Sequence, residues 1–196
     1  MKAKFITLIT SISIMSISLM AQQTGTFSDA RDGKIYKTVK IGHQIWMAEN
    51  LAFKAPFGCW SYASKERNVN LYGYLYNWNS ALNACPDGWH LPSQSEWDEL
   101  LNNQGGGSVA SKNLKSNSGW SSNGNGNNTS GFSALPGGGW DAEEDAFKYL
   151  GKNCFWWSST KMYTNDAYFI SLDIEDQGED GNSDRSNAAS VRCVKN

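Results

Sequence analysis

Ala84–Leu101 reads ACPDGWHLPSQSEWDELL, and the rest of the chain can be ordered outward from it. Pro86 and Gly88 mark a corner. Ser93 precedes Glu96 by three residues, the spacing of a capping box. In such a box the hydroxyl accepts a first-turn N–H and the carboxylate reaches back to the cap. Trp97, Leu100 and Leu101 give the helix that starts there an apolar face, and Gly105, Gly106 and Gly107 end it. Upstream, Leu71, Leu75, Trp78 and Leu82 recur at helical intervals, which predicts an earlier helix running to Cys85. His90 is one of only two histidines in the chain. Flanked by Trp89 and Leu91, which are bound for the core, it reads as a hydrogen-bonded fold element rather than a base. Pro92 belongs to the same corner.

The segment before this begins at Gly33. In KIYKTVKIGHQIWMAENL, Lys34–Leu51, residues Ile35, Val39 and Ile41 share one parity. Gly42-His43 then separates them from Gln44–Met47, a hairpin pattern. Cys59–Asn70 reads as loop, and the Asn-, Ser- and Gly-rich stretch from Ser116 to Ser130 as a surface loop. Further on, CFWWSST, DAYFISLD and ASVRCVK read as three strands, with Phe155 and Trp157 on the opposite face from Trp156. Early helices with strands on either side imply an α+β domain.

The N-terminus carries an export pattern. Lys2 and Lys4 precede an apolar run from Phe5 to Met20, which reads as a secretory signal cut after Ala21. Gln22–Asp32 is then a short polar leader, and residues 33–196 form one domain without a transmembrane segment. The expected location is the periplasm, the cell surface or the medium. With 17 basic and 19 acidic residues the net charge is −2, so nothing forms the basic footprint of a nucleic-acid binder. Four cysteines, Cys59, Cys85, Cys154 and Cys193, favour two disulfides in an exported chain, with three connectivities open.

Little in the sequence supports catalysis or a metal centre. No GxSxG elbow is present, no CxxC occurs, and two histidines are too few for a histidine-rich metal site. Asp173, Glu175, Asp176, Glu179, Asp180 and Asp184 crowd one run, but not at EF-hand spacing. A solvated loop is the favoured reading, with structural calcium the one cofactor left open. Trp120, Trp140 and Tyr163 fall in or beside loops and are candidates for an exposed ligand face. Together with Asp176, Glu179, Asp180, Asp184 and Arg185 they form the candidate binding set.

VKIGHQIWMAENL, YGYLYNWNSAL, CPDGWHLPSQSEWDEL, GFSALPGG, FWWSST and SVRCVK, in that order, closely resemble the Fibrobacter succinogenes major paralogous domain family. Trp46, Glu49, Asn50, Trp89, His90, Pro92, Glu96 and Trp97 carry its motifs here. The resemblance implies a C-type-lectin-like fold related to the formylglycine-generating sulfatase-modifying domains. It also implies a Cys85–Cys193 disulfide, which leaves Cys59–Cys154 as the second. Copper-dependent oxidase chemistry is not carried over, because no close cysteine pair survives near the C-terminal end. The fold analogy places a binding face on the loops around Pro136–Lys148, Ser159–Asn165 and Glu175–Asn187. The expected role is non-catalytic binding or adhesion at the cell surface, with a carbohydrate or protein partner. A structural component of a surface or secreted complex is one alternative, and a copper-dependent oxidase of the formylglycine-generating type is the other, the less favoured.

Overall fold

The computed structural model describes residues 22–196; the signal segment read from the sequence lies outside them. In chain order the elements are β1 (Thr24–Ser28), β2 (Ile35–Ile41), β3 (Gln44–Met47), β4 (Cys59–Trp60), α1 (Glu66–Tyr72), β5 (Leu75–Asn77) and α2 (Trp78–Ala81). Then come β6 (Trp89–His90), α3 (Gln94–Asn103), α4 (Gly107–Leu114), β7 (Gly139–Asp141), β8 (Ala146–Lys148) and β9 (Asn153–Lys161). The chain closes with β10 (Asp166–Asp173), β11 (Gly178–Asp184), β12 (Ala188–Ser190) and β13 (Val194–Lys195).

This is an α+β arrangement, mostly sheet. A five-stranded sheet runs β1-β2-β3-β13-β6. An eight-stranded sheet runs β11-β10-β9-β12-β5-β4, with β7 branching from β12 and β8 pairing β7. The last stretch of the chain therefore divides between the sheets: β12 belongs to one and β13 to the other. Gln22–Asp32 is no free leader, since Thr24–Ser28 pairs antiparallel with Ile35–Val39 as an edge strand.

The predicted hairpin forms, with Val39 opposite Trp46 and Ile41 opposite Gln44. The capping box also forms. Ser93 Oγ accepts from the Glu96 N–H at 3.3 Å, and Glu96 Oε2 accepts from the Ser93 N–H at 2.8 Å. The helix predicted across Leu71–Leu82 does not run through. It is split into α1, β5 and α2, leaving Leu71 and Leu82 exposed while Leu75 and Trp78 are buried. Gly73 is the break. Its φ is +74°, and a Cβ there would come within 2.5 Å of the Leu51 carbonyl oxygen. Tyr74 N–H donates to that same oxygen, and Leu75–Asn77 pairs with Ala188–Ser190. Strand pairing with the distant C-terminus overrides the local period. Cys59–Asn70, read as loop, holds β4 and most of α1.

Two buried clusters lie on opposite faces of the large sheet, and β9 separates them. Trp156 joins Trp46, Trp97, Leu100, Phe132 and Ile170. Its neighbour Trp157 joins Tyr36, Met47, Tyr76, Trp78 and Trp89. The period of two predicted for this strand is thus realised with both faces covered.

Cys85 and Cys193 form a disulfide across a sequence separation of 108 residues. It ties the corner before β6 to the approach to β13. Cys59 and Cys154, expected as the second bridge, are both free. Cys154 is fully buried on β9, whereas Cys59 sits on edge strand β4 with its thiol directed to the Ala55 carbonyl. Strands β12 and β5 lie between them. Three strand spacings are roughly 14 Å, about twice the Cα separation a disulfide tolerates. The even cysteine count was a compositional argument, and the strand order defeats it.

Candidate functional site

The β7–β8 hairpin leaves the large sheet where Trp140 pairs with Ala188. Beside it a pocket of about 190 Å³ opens. Phe155 and Trp157 from β9, Phe169 from β10, and Ala188 and Ala189 from β12 supply its apolar lining. Trp140, Asp141, Lys148 and Tyr149 come from the hairpin and the residue after it, and Ser183 and Asn187 from the end of β11 and the turn that follows.

Its aromatic groups are braced by Trp60 from outside and by one another. Trp140 stacks on Trp60 of β4, with ring centres 5.0 Å apart and planes 21° from parallel. Phe155 meets Phe169 edge to face at 5.8 Å, and Tyr149 meets Phe155 at 5.9 Å. The polar groups are fixed as well. Asn187 Oδ1 accepts the Ala142 N–H at 2.8 Å, and its amide donates to Ser183 Oγ at 2.8 Å. Asn187 thus latches the hairpin to the end of β11. Lys148 Nζ lies 2.9 Å from Asp141 Oδ2 and 2.7 Å from Glu144 Oε1. Glu144 and Asp141 together hold the ammonium's pKa above the ordinary lysine value. Lys148, with the Glu144 and Glu143 backbone N–H groups, holds the Asp141 carboxyl below its own. Lys148 and its two carboxylates offer both a donor and acceptors at the rim, with one negative charge in excess. Flat apolar faces with a few oriented polar groups are the chemistry of a small-ligand site. They suit a molecule with one C–H face and peripheral hydroxyls.

Of the residues proposed from the sequence, Trp140 lies in this pocket. Trp120 does not reach a surface: it is buried, and its indole N–H donates to the Ala134 carbonyl at 3.0 Å. The Asn-rich loop around it folds back on itself through bonds such as Asn125 Oδ1 to the Trp120 N–H. Tyr163 is exposed in the turn between β9 and β10. Arg185 braces that turn, donating to the Tyr163 carbonyl at 2.8 Å and to the Thr164 carbonyl, with its guanidinium 4.8 Å over Trp78. Asp184 accepts the Ser186 N–H. Asp180 is exposed, and Gln94 reaches it at 3.4 Å. Asp176 Oδ1 lies 2.7 Å from the buried Lys115 ammonium, near enough for an ion pair but without hydrogen-bond geometry. Glu179 lies on β11. The acidic run is therefore spread along the β10–β11 hairpin, from its turn to the far end of β11. Among the described residues no group of three or more His, Cys, Asp or Glu side chains is placed to hold a metal ion.

His90 has a structural setting. Nε2 is 2.7 Å from Glu96 Oε1, and Nδ1 is 2.6 Å from Asn196 Oδ1. Burial works against the Glu96 carboxylate, but the Ser93 N–H, His90 and the Ser93 hydroxyl outweigh it and hold its pKa below the usual glutamate value.

Tyr149, Phe155 and Phe169 are pocket residues outside the loops expected from the sequence, whereas Asp141 and Lys148 fall within Pro136–Lys148, and Ser183 and Asn187 within Glu175–Asn187. Phe155 and Phe169 were assigned to strands, and the alternation that hides Trp156 does turn Phe155 toward this face. Within the Glu175–Asn187 stretch, nothing local singles out Ser183 or Asn187 from the carboxylates around them.

The family model of the Fibrobacter succinogenes major domain matches residues 39–195, so the chain belongs to that family. No curated protein and no solved structure matches it.

Proposed function

We propose that this member of the Fibrobacter succinogenes major domain family is an exported, non-catalytic, lectin-like binding domain that takes a sugar ring in the pocket beside β7–β8. The observation that carries the reading is the joint placement of Trp140, Tyr149 and Phe155 with Asp141, Lys148, Ser183 and Asn187. A sugar's C–H face would lie on the rings, and its hydroxyls would meet the Asn187 amide, the Ser183 hydroxyl and the Asp141–Lys148 ion pair. At about 190 Å³ the space suits a single ring or chain end, with the remainder of a glycan outside. A C-type-lectin-like scaffold is consistent with the disulfide from the corner before β6 to the C-terminal segment.

Two features favour binding over sulfatase-modifying-type oxidation. The free thiols of Cys59 and Cys154 lie on strands separated by β12 and β5, so they do not form a reactive pair. Burial also pushes both thiols above the ordinary cysteine pKa, which disfavours the thiolate.

The test is a glycan-array screen followed by titration of the best monosaccharide against the wild type and Trp140→Ala. Stacking on one ring contributes about 0.5–1.5 kcal/mol beyond area burial, so the lost stacking alone should weaken binding roughly 2- to 12-fold, each tenfold being about 1.4 kcal/mol. Equal affinity in Trp140→Ala would move the site elsewhere. A blank array together with a stable complex with a protein partner would replace the sugar reading by the structural one.

A further inference from the structure

Arg192 lies between β12 and β13, and its side chain is completely buried. Nε and Nη2 donate to Asn50 Oδ1 at 3.1 and 2.7 Å, and Nη1 donates to the Phe132 carbonyl. A guanidinium has five N–H groups. One on each terminal nitrogen is therefore left without an acceptor among the described residues. None of the described carboxylates forms an ion pair with it. The cation is faced by the rings of Phe132 and Trp156, 4.2 and 5.5 Å from the guanidinium carbon. Burial pushes its pKa down to about 9, which still leaves it charged at neutral pH. A buried charge is ordinarily paired.

Arg192 lines a partly enclosed cavity of about 220 Å³, on different residues from the aromatic pocket. The other charged groups lining it are Lys34, Lys37 and Glu49. Glu49 acts on the arginine only through space: it makes no ion pair with it, and its Oε2 accepts the Lys37 backbone N–H at 2.9 Å. Three cations thus share the cavity with one carboxylate. Ser133 and Asn50 add polar lining. We propose that this cavity binds a small carboxylate, with Arg192 as the fixed buried cation and Lys34 and Lys37 as the more exposed ones. A planar carboxylate matches the paired N–H geometry of a guanidinium better than a spherical anion does. Both a free organic acid and a uronic acid carry the group.

The experiment follows the Arg192 Nε–H and Trp156 Nε1–H resonances of the full chain. Acetate or galacturonate is added at constant ionic strength, with chloride as the control. Both signals should move saturably with a carboxylate and not with chloride. The double variant Lys34→Gln/Lys37→Gln, which leaves the Arg192 bonds in place, should weaken the response at least fivefold. Galacturonate saturating at tenfold lower concentration than acetate would identify an acidic sugar as the source, whereas equal concentrations would identify a free acid. Linear shifts, a matching chloride response, or an unchanged double variant would overturn the proposal. None of these results depends on whether the aromatic pocket binds sugar.

Discussion

Replacing Asn50 with alanine tests whether one amide joins the two ends of the domain. Its Oδ1 accepts the Trp156 indole N–H at 2.9 Å and two N–H groups of Arg192. Its Nδ2 donates to the Tyr72 carbonyl at 2.9 Å and to Ser190 Oγ at 3.2 Å. Removing the amide leaves a buried indole N–H, one edge of a buried guanidinium and a carbonyl without their partner. Each orphaned buried group costs about 1–3 kcal/mol, and a charged one more. These losses share one site and do not simply add, so the expected total is about 3–5 kcal/mol. For a chain of this size 1 kcal/mol shifts the midpoint by about 2–4 °C, giving a fall of roughly 6–20 °C. Urea unfolding at an unchanged m-value would confirm that the change is in stability. Asn50→Asp keeps the acceptor, gives Arg192 a carboxylate and lets the Ser190 hydroxyl donate to the new oxygen, at the expense of an oxygen–oxygen contact with the Tyr72 carbonyl. It should cost less than Asn50→Ala. A loss under about 1 kcal/mol for alanine, or a larger loss for aspartate, would refute the reasoning that unmet donors dominate at this site.

The remaining predictions concern the thiols, the cap and the buried lysine. Cys193→Ser should cost about 4–5 kcal/mol, the chain-entropy value for closing a loop of roughly 100 residues, and should leave Cys85 alkylatable. In the intact protein, peptide mapping should find Cys85–Cys193 bonded, Cys59 slowly alkylated and Cys154 reactive only after unfolding; a Cys59–Cys154 peptide would contradict the strand order. Glu96→Gln should cost about 1 kcal/mol at neutral pH. Because the folded Glu96 pKa is lowered, its stabilisation is present above the unfolded value and is lost as pH falls through the folded one. The gap between wild type and Glu96→Gln should therefore close below the ordinary value of 4.5, and a gap that persists under acid would remove the charge from the account. Lys115 Nζ donates to the Asp173 carbonyl at 2.7 Å and faces Asp176, so Lys115→Met should speed amide exchange between Asp173 and Gln177; unchanged exchange would show the β10–β11 turn to be held by its own Asx bonds.

What the sequence determined by itself was local, and its grammar was short-range. Ser93 and Glu96 are three residues apart, and the cap they form needs no distant partner. The β2–β3 hairpin follows from a parity of two interrupted at Gly42, and the placing of Trp156 and Trp157 in different cores follows from the same parity. The elements that went elsewhere answer to long-range partners. Leu75 left its helical period because Ser190 pairs with it. Trp120 turned inward because the Ala134 carbonyl offered its indole an acceptor. Cys59 and Cys154 stayed apart because two strands lie between them. The Asn50–Arg192 contact spans 142 residues, and the aromatic pocket draws on six strands and the connections beside them. Residue periodicity records which face of an element is apolar. Which distant element covers that face depends on how the two sheets share the C-terminal strands, and only the tertiary structure decides that.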